Sequence, residues 1–146
     1  MKERSYPDHP WLGVGGIVFQ GDCVLLVKRG KEPGLGQWSI PGGIVEVGET
    51  ITRAVQREME EETGFQVEIH NLVEVFERCL PDGQGRILYH YVILDYLCTI
   101  KSGRLMAGSD VTEAVFFPLA ELGALGVSSE TKRVIEKAYS TVKVFS

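Results

Sequence analysis

The chain is short of the features that would place it in several familiar classes. Its three cysteines, Cys23, Cys79 and Cys98, are odd in number and lack C-x-x-C spacing. Neither a disulfide framework nor a zinc site is expected; reduced thiols acting as small buried hydrophobes are. No apolar run approaches the ~20 residues that cross a bilayer, and the leading MKERSYPDHP is polar rather than a secretory signal. A soluble, cytoplasmic protein without a membrane partner is expected. There is no long basic run and the formal net charge is −5, so a nucleic-acid backbone is not the expected partner, although acidic proteins still bind phosphates through metals. His9, His70 and His90 are scattered, and no G-x-S-x-G elbow supports a serine nucleophile. Repeats and low-complexity tracts are missing too.

What is present fits one domain. At 146 residues and 44% hydrophobic content the chain can enclose a single core. Residues 1–10 read as a flexible lead-in and 11–146 as the domain. Leu12 to Gln20 reads as a strand broken by Gly13, Gly15 and Gly16. A G-x-G-x-x-G reading of it fails because Val18 stands where the last glycine should, so a bulge or the close approach of another backbone is expected. Gly21-Asp22 turns the chain into an antiparallel partner, Cys23 to Arg29, followed by a glycine-rich loop. Phe65 to Leu80 and Ile87 to Ile100 should form a central strand pair reversed at Gln84-Gly85-Arg86. Lys101-Ser102-Gly103 reads as a turn, Ala114 to Leu119 as a strand, and Ser128 or Ser129 as the cap of a closing helix to Tyr139 with Val134, Ile135 and Ala138 inward. Strands mixed with two or three helices give an α/β class with a mixed sheet, one helix on each face.

Thr50 to Thr63 is the informative stretch. Thr50 can cap a helix, and Gly64 supplies the left-handed residue that ends one. At about 100° per residue, Ala54, Val55 and Met59 fall within roughly 80° of Ile51 and form an apolar stripe. Glu58 and Glu62 fall about 20° either side of Ile51 on that same inward face, while Glu60 and Arg53 point outward. Clustered inward carboxylates are costly unless a cation or hydrogen bonds compensate them. Successive hard oxygen ligands of this kind suit Mg²⁺ or Mn²⁺.

The full spacing runs Gly43, five residues, Glu49, seven residues, Arg57-Glu58-Met59, one residue, Glu61-Glu62, one residue, Gly64-Phe65. It resembles, with no departure, the signature of the Nudix hydrolase family. A chance match of its seven fixed residues, each at ~7% frequency, is ~10⁻⁶ over the chain. Trp38 to Gly43 and Phe116 to Leu119 also look familiar. The resemblance implies an α/β/α sandwich and metal-dependent hydrolysis of a nucleoside diphosphate linked to another moiety.

By that resemblance Glu58, Glu61 and Glu62, with the Gly43 carbonyl, hold Mg²⁺ or Mn²⁺. Arg57 pairs with Glu49 to tie loop to helix. Glu49, Arg57, Glu61 and Glu113 form the catalytic set, with Glu113, at the end of a loop from Gly108 that resembles the one closing over the metals, either a further ligand or the general base. Arg29, Gly42 and Pro81 are the substrate-binding candidates. Pro81 lies sixteen residues beyond Phe65, where a proline resembles the marker of the ADP-ribose pyrophosphatases, though Pro81-Asp82-Gly83 also suits a plain turn. Trp38, Phe76 and Tyr89 could stack on an adenine or simply fill the core. The expected reaction converts ADP-ribose to AMP and ribose 5-phosphate. The alternatives are a housecleaning nucleoside triphosphate pyrophosphohydrolase and a non-catalytic nucleotide-binding module. Homodimers are common in the resemblance, and nothing in the sequence decides for one.

Overall fold

The computed structural model describes residues 3–145, with side chains described to residue 142; residues 1, 2 and 146, at the ends of the expected lead-in and domain, lie outside it. Strand β1 (Trp11–Gln20) turns at Gly21-Asp22 into antiparallel β2 (Cys23–Arg29). Two short strands, β3 (Trp38–Ser39) and β4 (Gly42–Ile44), precede helix α1 (Ile51–Thr63). The long hairpin of β5 (Phe65–Pro81) and β6 (Ile87–Gly103) follows, then β7 (Val111–Pro118), a 3₁₀ turn at Leu119–Glu121 and helix α2 (Ser129–Phe145). The sheet runs β3-β2-β1-β6-β5, with β4 added to β1 and β7 to β2. β1 lies parallel to β6 and its other neighbours are antiparallel, which makes the sheet mixed.

Each face carries one helix. α1 packs Ala54, Val55 and Met59 onto Val14, Val18 and Leu25. α2 packs Val134, Ile135 and Ala138 onto Ile17, Val24 and Leu26. Alternate residues of β1 and β2 thus serve opposite cores, as the period of two along a strand requires. No helix among the described residues is long and apolar enough to cross a membrane.

The strand glycines mark close approach, by side chains more than by backbone. A β-carbon at Gly16 would run into the Met59 sulfur, and one at Gly15 into the Asp95 carboxylate. Three local expectations change. Residues 101–103 continue β6, because Gln66 and Phe65 still pair with Ser102 and Gly103. The closing helix runs past Tyr139 to Phe145. Of the cysteines, Cys98 is buried, and burial pushes its thiol up to about 12. Cys23 is only partly covered and Cys79 is exposed, so the buried-hydrophobe role applies to one thiol of three. Within the lead-in, Tyr6 donates its backbone N–H to the Leu88 carbonyl and its hydroxyl to Asp82.

Candidate active site

α1 begins where the Thr50 hydroxyl accepts from the Arg53 amide and ends at Gly64, φ +80°. The helix lies so that its acidic positions meet β4. Glu58 is 9% exposed and Glu62 5%, while Glu60 and Arg53 on the other side are open to solvent. The backbone N–H of Gly42 donates to Glu62 Oε1 at 3.0 Å. Gly43 lies directly against the Glu58 carboxylate, in space a side chain would need.

Arg57 organises the near side. Its Nε and Nη2 hold both oxygens of Glu49, at 2.6 and 2.9 Å, the two-pronged geometry a guanidinium and a carboxylate favour. Nη2 also reaches the Ile44 carbonyl at 3.0 Å, and Nη1 donates to Glu58 at 2.8 Å and Glu61 at 3.3 Å. The Arg57 hydrogen bonds hold the Glu49 carboxyl below its ordinary range, and that pairing pushes Arg57 further up. Glu49 in turn accepts from the Glu46 amide, closing the loop before α1.

Glu58 and Glu62 behave oppositely to Glu49. Desolvation raises Glu58 despite Arg57, and it pushes Glu62 to about 7 despite the Gly42 hydrogen bond, with Glu58 and Asp110 adding like charge. Two buried carboxylates with unused acceptor capacity constitute a hard-oxygen donor set that favours a cation between them. The described residues include no group of three His, Cys, Asp or Glu side chains already closed around one point. The donor chemistry therefore fits a divalent ion that completes its shell with other oxygens, and the Arg57 Nη1 between Glu58 and Glu61 marks the cationic demand.

Beside β4 lies a cleft of about 340 Å³, bordered by Gly42, Gly43, Arg29, Phe76, Tyr91 and Asp95 among others. Arg29 donates to the Pro33 carbonyl, and its charge also favours the ionised form of Glu62. A second depression, of about 520 Å³, follows the outer flank of α1 past Arg53, Arg57 and Glu61.

The structure brings together Glu49, Arg57, Glu58, Glu61, Glu62, Gly42 and Gly43, with Arg29 close by. Among the described residues, no hydrogen bond or ion pair joins Glu113 or Pro81 to this group. β7 starts at Val111, so Glu113 lies within a strand rather than a loop, opposite Lys28, with which it pairs at 3.6 Å. Pro81 is exposed at the end of β5, outside the cleft lining. Of the aromatic candidates only Phe76 lines the cleft. Trp38 packs edge-on against Phe117 at 4.8 Å, Tyr89 stacks on Tyr91 at 6.1 Å, and Phe116 leans on Phe65 in the α1 core. Two carboxylates escaped the sequence reading. Asp110 pairs with Lys31 at 3.2 Å near Glu62. Asp95 is buried beside the cleft, and its only sequence signal is an acid inside the apolar run YVILDYLC.

Comparison with known proteins agrees with this geometry. The NUDIX domain model matches residues 9–138. An ADP-ribose pyrophosphatase of Methanocaldococcus jannaschii is 38% identical over 122 residues, 84% of this chain and 70% of the relative. A Bacillus subtilis relative is 33% identical over 129 residues, 88% of this chain but only 60% of its own length. Among solved structures, a MutT NUDIX hydrolase from Burkholderia pseudomallei superposes with a TM-score of 0.77 at 30% identity, over 89% of this chain and 98% of that one. An ADP-ribose pyrophosphatase from Streptococcus suis gives 0.67 at 25%, over 91% and 92%. With an unbroken signature, its carboxylates gathered against β4 and a family model spanning most of its length, the chain belongs to the Nudix hydrolase family.

Proposed function

We propose that the chain hydrolyses ADP-ribose to AMP and ribose 5-phosphate. One observation carries the reading: Glu58 and Glu62 lie buried and under-bonded against Gly43 and Gly42, and those two glycines border a cleft large enough for a nucleoside. The similarity to the M. jannaschii and S. suis pyrophosphatases supports ADP-ribose over other diphosphates.

Glu58, Glu62, Glu61 and the Gly43 carbonyl would hold the divalent ion. Once bound, such an ion supplies neutralisation of the diphosphate charge and acidification of water. The rest falls to the chain. Arg57 and Glu49 fix the Glu58 carboxylate against the Gly43 loop, which makes them positioning residues. Glu61, at the wet edge of the cluster with a 45% exposed side chain, would accept the proton of the attacking water. Arg29 faces the cleft where the diphosphate's remaining charge would lie.

Chromatographic separation of products from a panel of ADP-ribose, nucleoside triphosphates and oxidised nucleotides tests the substrate. AMP with ribose 5-phosphate is the expected outcome. Pyrophosphate released from triphosphates, with ADP-ribose left intact, would replace this reading with the housecleaning one.

A further inference from the structure

Asp95 has no role in the hydrolysis described above. It sits on β6 opposite Gly15 of β1, which in turn pairs with Gly42 of β4. It is 3% exposed and lines the cleft. No hydrogen bond or ion pair among the described residues reaches its carboxylate, and burial together with Glu74 pushes its pKa up to about 7. Leaving a buried carboxylate unpartnered is expensive. The fold nevertheless makes room for it, since the absence of a side chain at Gly15 is what the Asp95 carboxylate fills.

The surroundings narrow what this group receives. Ile40, Ile93 and Phe76 give part of the cleft apolar walls that suit the faces of a planar ring, while Gln37, Ser39 and Thr131 on the same lining offer a sugar's hydroxyls partners other than Asp95. A phosphate is repelled by the carboxylate. Two strand spacings, about 10 Å, separate the Asp95 backbone from that of Gly42 at the acidic end, a distance a nucleoside bridges when its phosphate is held there. Resting on the ADP-ribose reading, we propose that Asp95 is a specificity-determining residue that accepts a hydrogen bond from the exocyclic amine of the nucleobase.

The test crosses protein and ligand. Binding of AMP and of purine riboside 5′-monophosphate, which lacks the amine, is measured by calorimetry with Mg²⁺ for the wild type, Asp95→Ala and the similarly shaped Asp95→Leu. Thermal melts establish that each variant folds, and either variant suffices. A hydrogen bond to a charged group predicts about a tenfold loss on removing the amine from the wild-type ligand, a similar loss of AMP binding in the variants, and no further effect of the amine there. An amine effect of equal size in wild type and variants overturns the proposal, as does undiminished AMP binding in the variants or no AMP binding by the wild type. Turnover of ADP-ribose is scored separately. Wild-type hydrolysis with an additive cycle sinks only the Asp95 assignment. AMP bound through Asp95 without ADP-ribose hydrolysis sinks only the substrate reading.

Discussion

Gly43 and Glu58 share one small volume: a β-carbon on the glycine would fall on the carboxylate carbon and both oxygens of the glutamate. The carboxylate is the far end of a flexible side chain, so it can be pushed aside. Gly43→Ala should therefore fold and lose most turnover. Gly42 differs, because its β-carbon would strike the Val14 carbonyl and the Gly15 backbone. Gly42→Ala should cost stability, on the order of 1–3 kcal/mol by analogy with overpacking. Thermal melts beside kcat for the two variants check the contrast, and equal melting points would contradict it.

Glu58→Gln and Glu62→Gln should each abolish most turnover while leaving the metal-free protein as stable as the wild type or more so. Each replaces a carboxylate disfavoured by burial with a neutral group of the same shape. Glu60→Gln, on the solvent side, should leave both properties unchanged. Mn²⁺ titration without substrate should saturate on the wild type and weaken in the first two variants. EDTA should silence the enzyme, and turnover that survives thorough chelation would count against any metal mechanism.

Arg57→Lys keeps the charge and loses the fork. A lysine cannot hold both Glu49 oxygens, the Ile44 carbonyl and Glu58 together. We expect a fall of at least tenfold in kcat with a modest loss of stability, roughly 0.5–3 kcal/mol. Because Arg57 acts through Glu58, Mn²⁺ affinity should fall along with kcat. A variant that bound Mn²⁺ normally would deny Arg57 this positioning role.

The α1 face was legible because a helix wheel converts spacing into direction: Glu58 and Glu62 share a face with Ile51 whatever the rest of the chain does. Arg57 and Glu49 were legible through the signature alone. Strand acids were not. Glu113 and Asp110 are three residues apart, and which of them nears Glu62 depends on where β7 begins, a matter of pairing with Lys28 and Arg29 that local sequence does not encode. Asp95 is invisible for a related reason, since YVILDYLC reads as strand with or without its acid. Its environment arises only when β1 and β6 lie parallel and bring Gly15 alongside. The turn expected at residues 101–103 failed on the same ground, because pairing with residues 65–66 overrode the local turn residues.

Asp95 also gives the fold a pH dependence of definite sign. Its pKa rises from an ordinary 3.8 to about 7 through burial first and the Glu74 charge second, in a cleft that Arg4, Arg29 and Arg78 also line. Between these limits the folded state binds more protons than the unfolded one, so stability falls as pH rises. At about 1.4 kcal/mol per unit, the loss amounts to a few kcal/mol and is complete above pH 7. Glu62, raised from 4.5 to about 7, acts in the same direction. Glu49, lowered by Arg57, acts oppositely and only as pH drops below the ordinary carboxylate range. The metal-free protein should accordingly melt at a higher temperature near pH 5 than near pH 8. Asp95→Asn should raise the melting temperature at pH 8 and flatten the profile, leaving the Glu62 contribution for divalent ions to remove. A wild-type melting point flat from pH 5 to 8, or an Asp95→Asn profile as steep as the wild type, would show that the carboxylate is satisfied by a partner and is not held in reserve for a ligand.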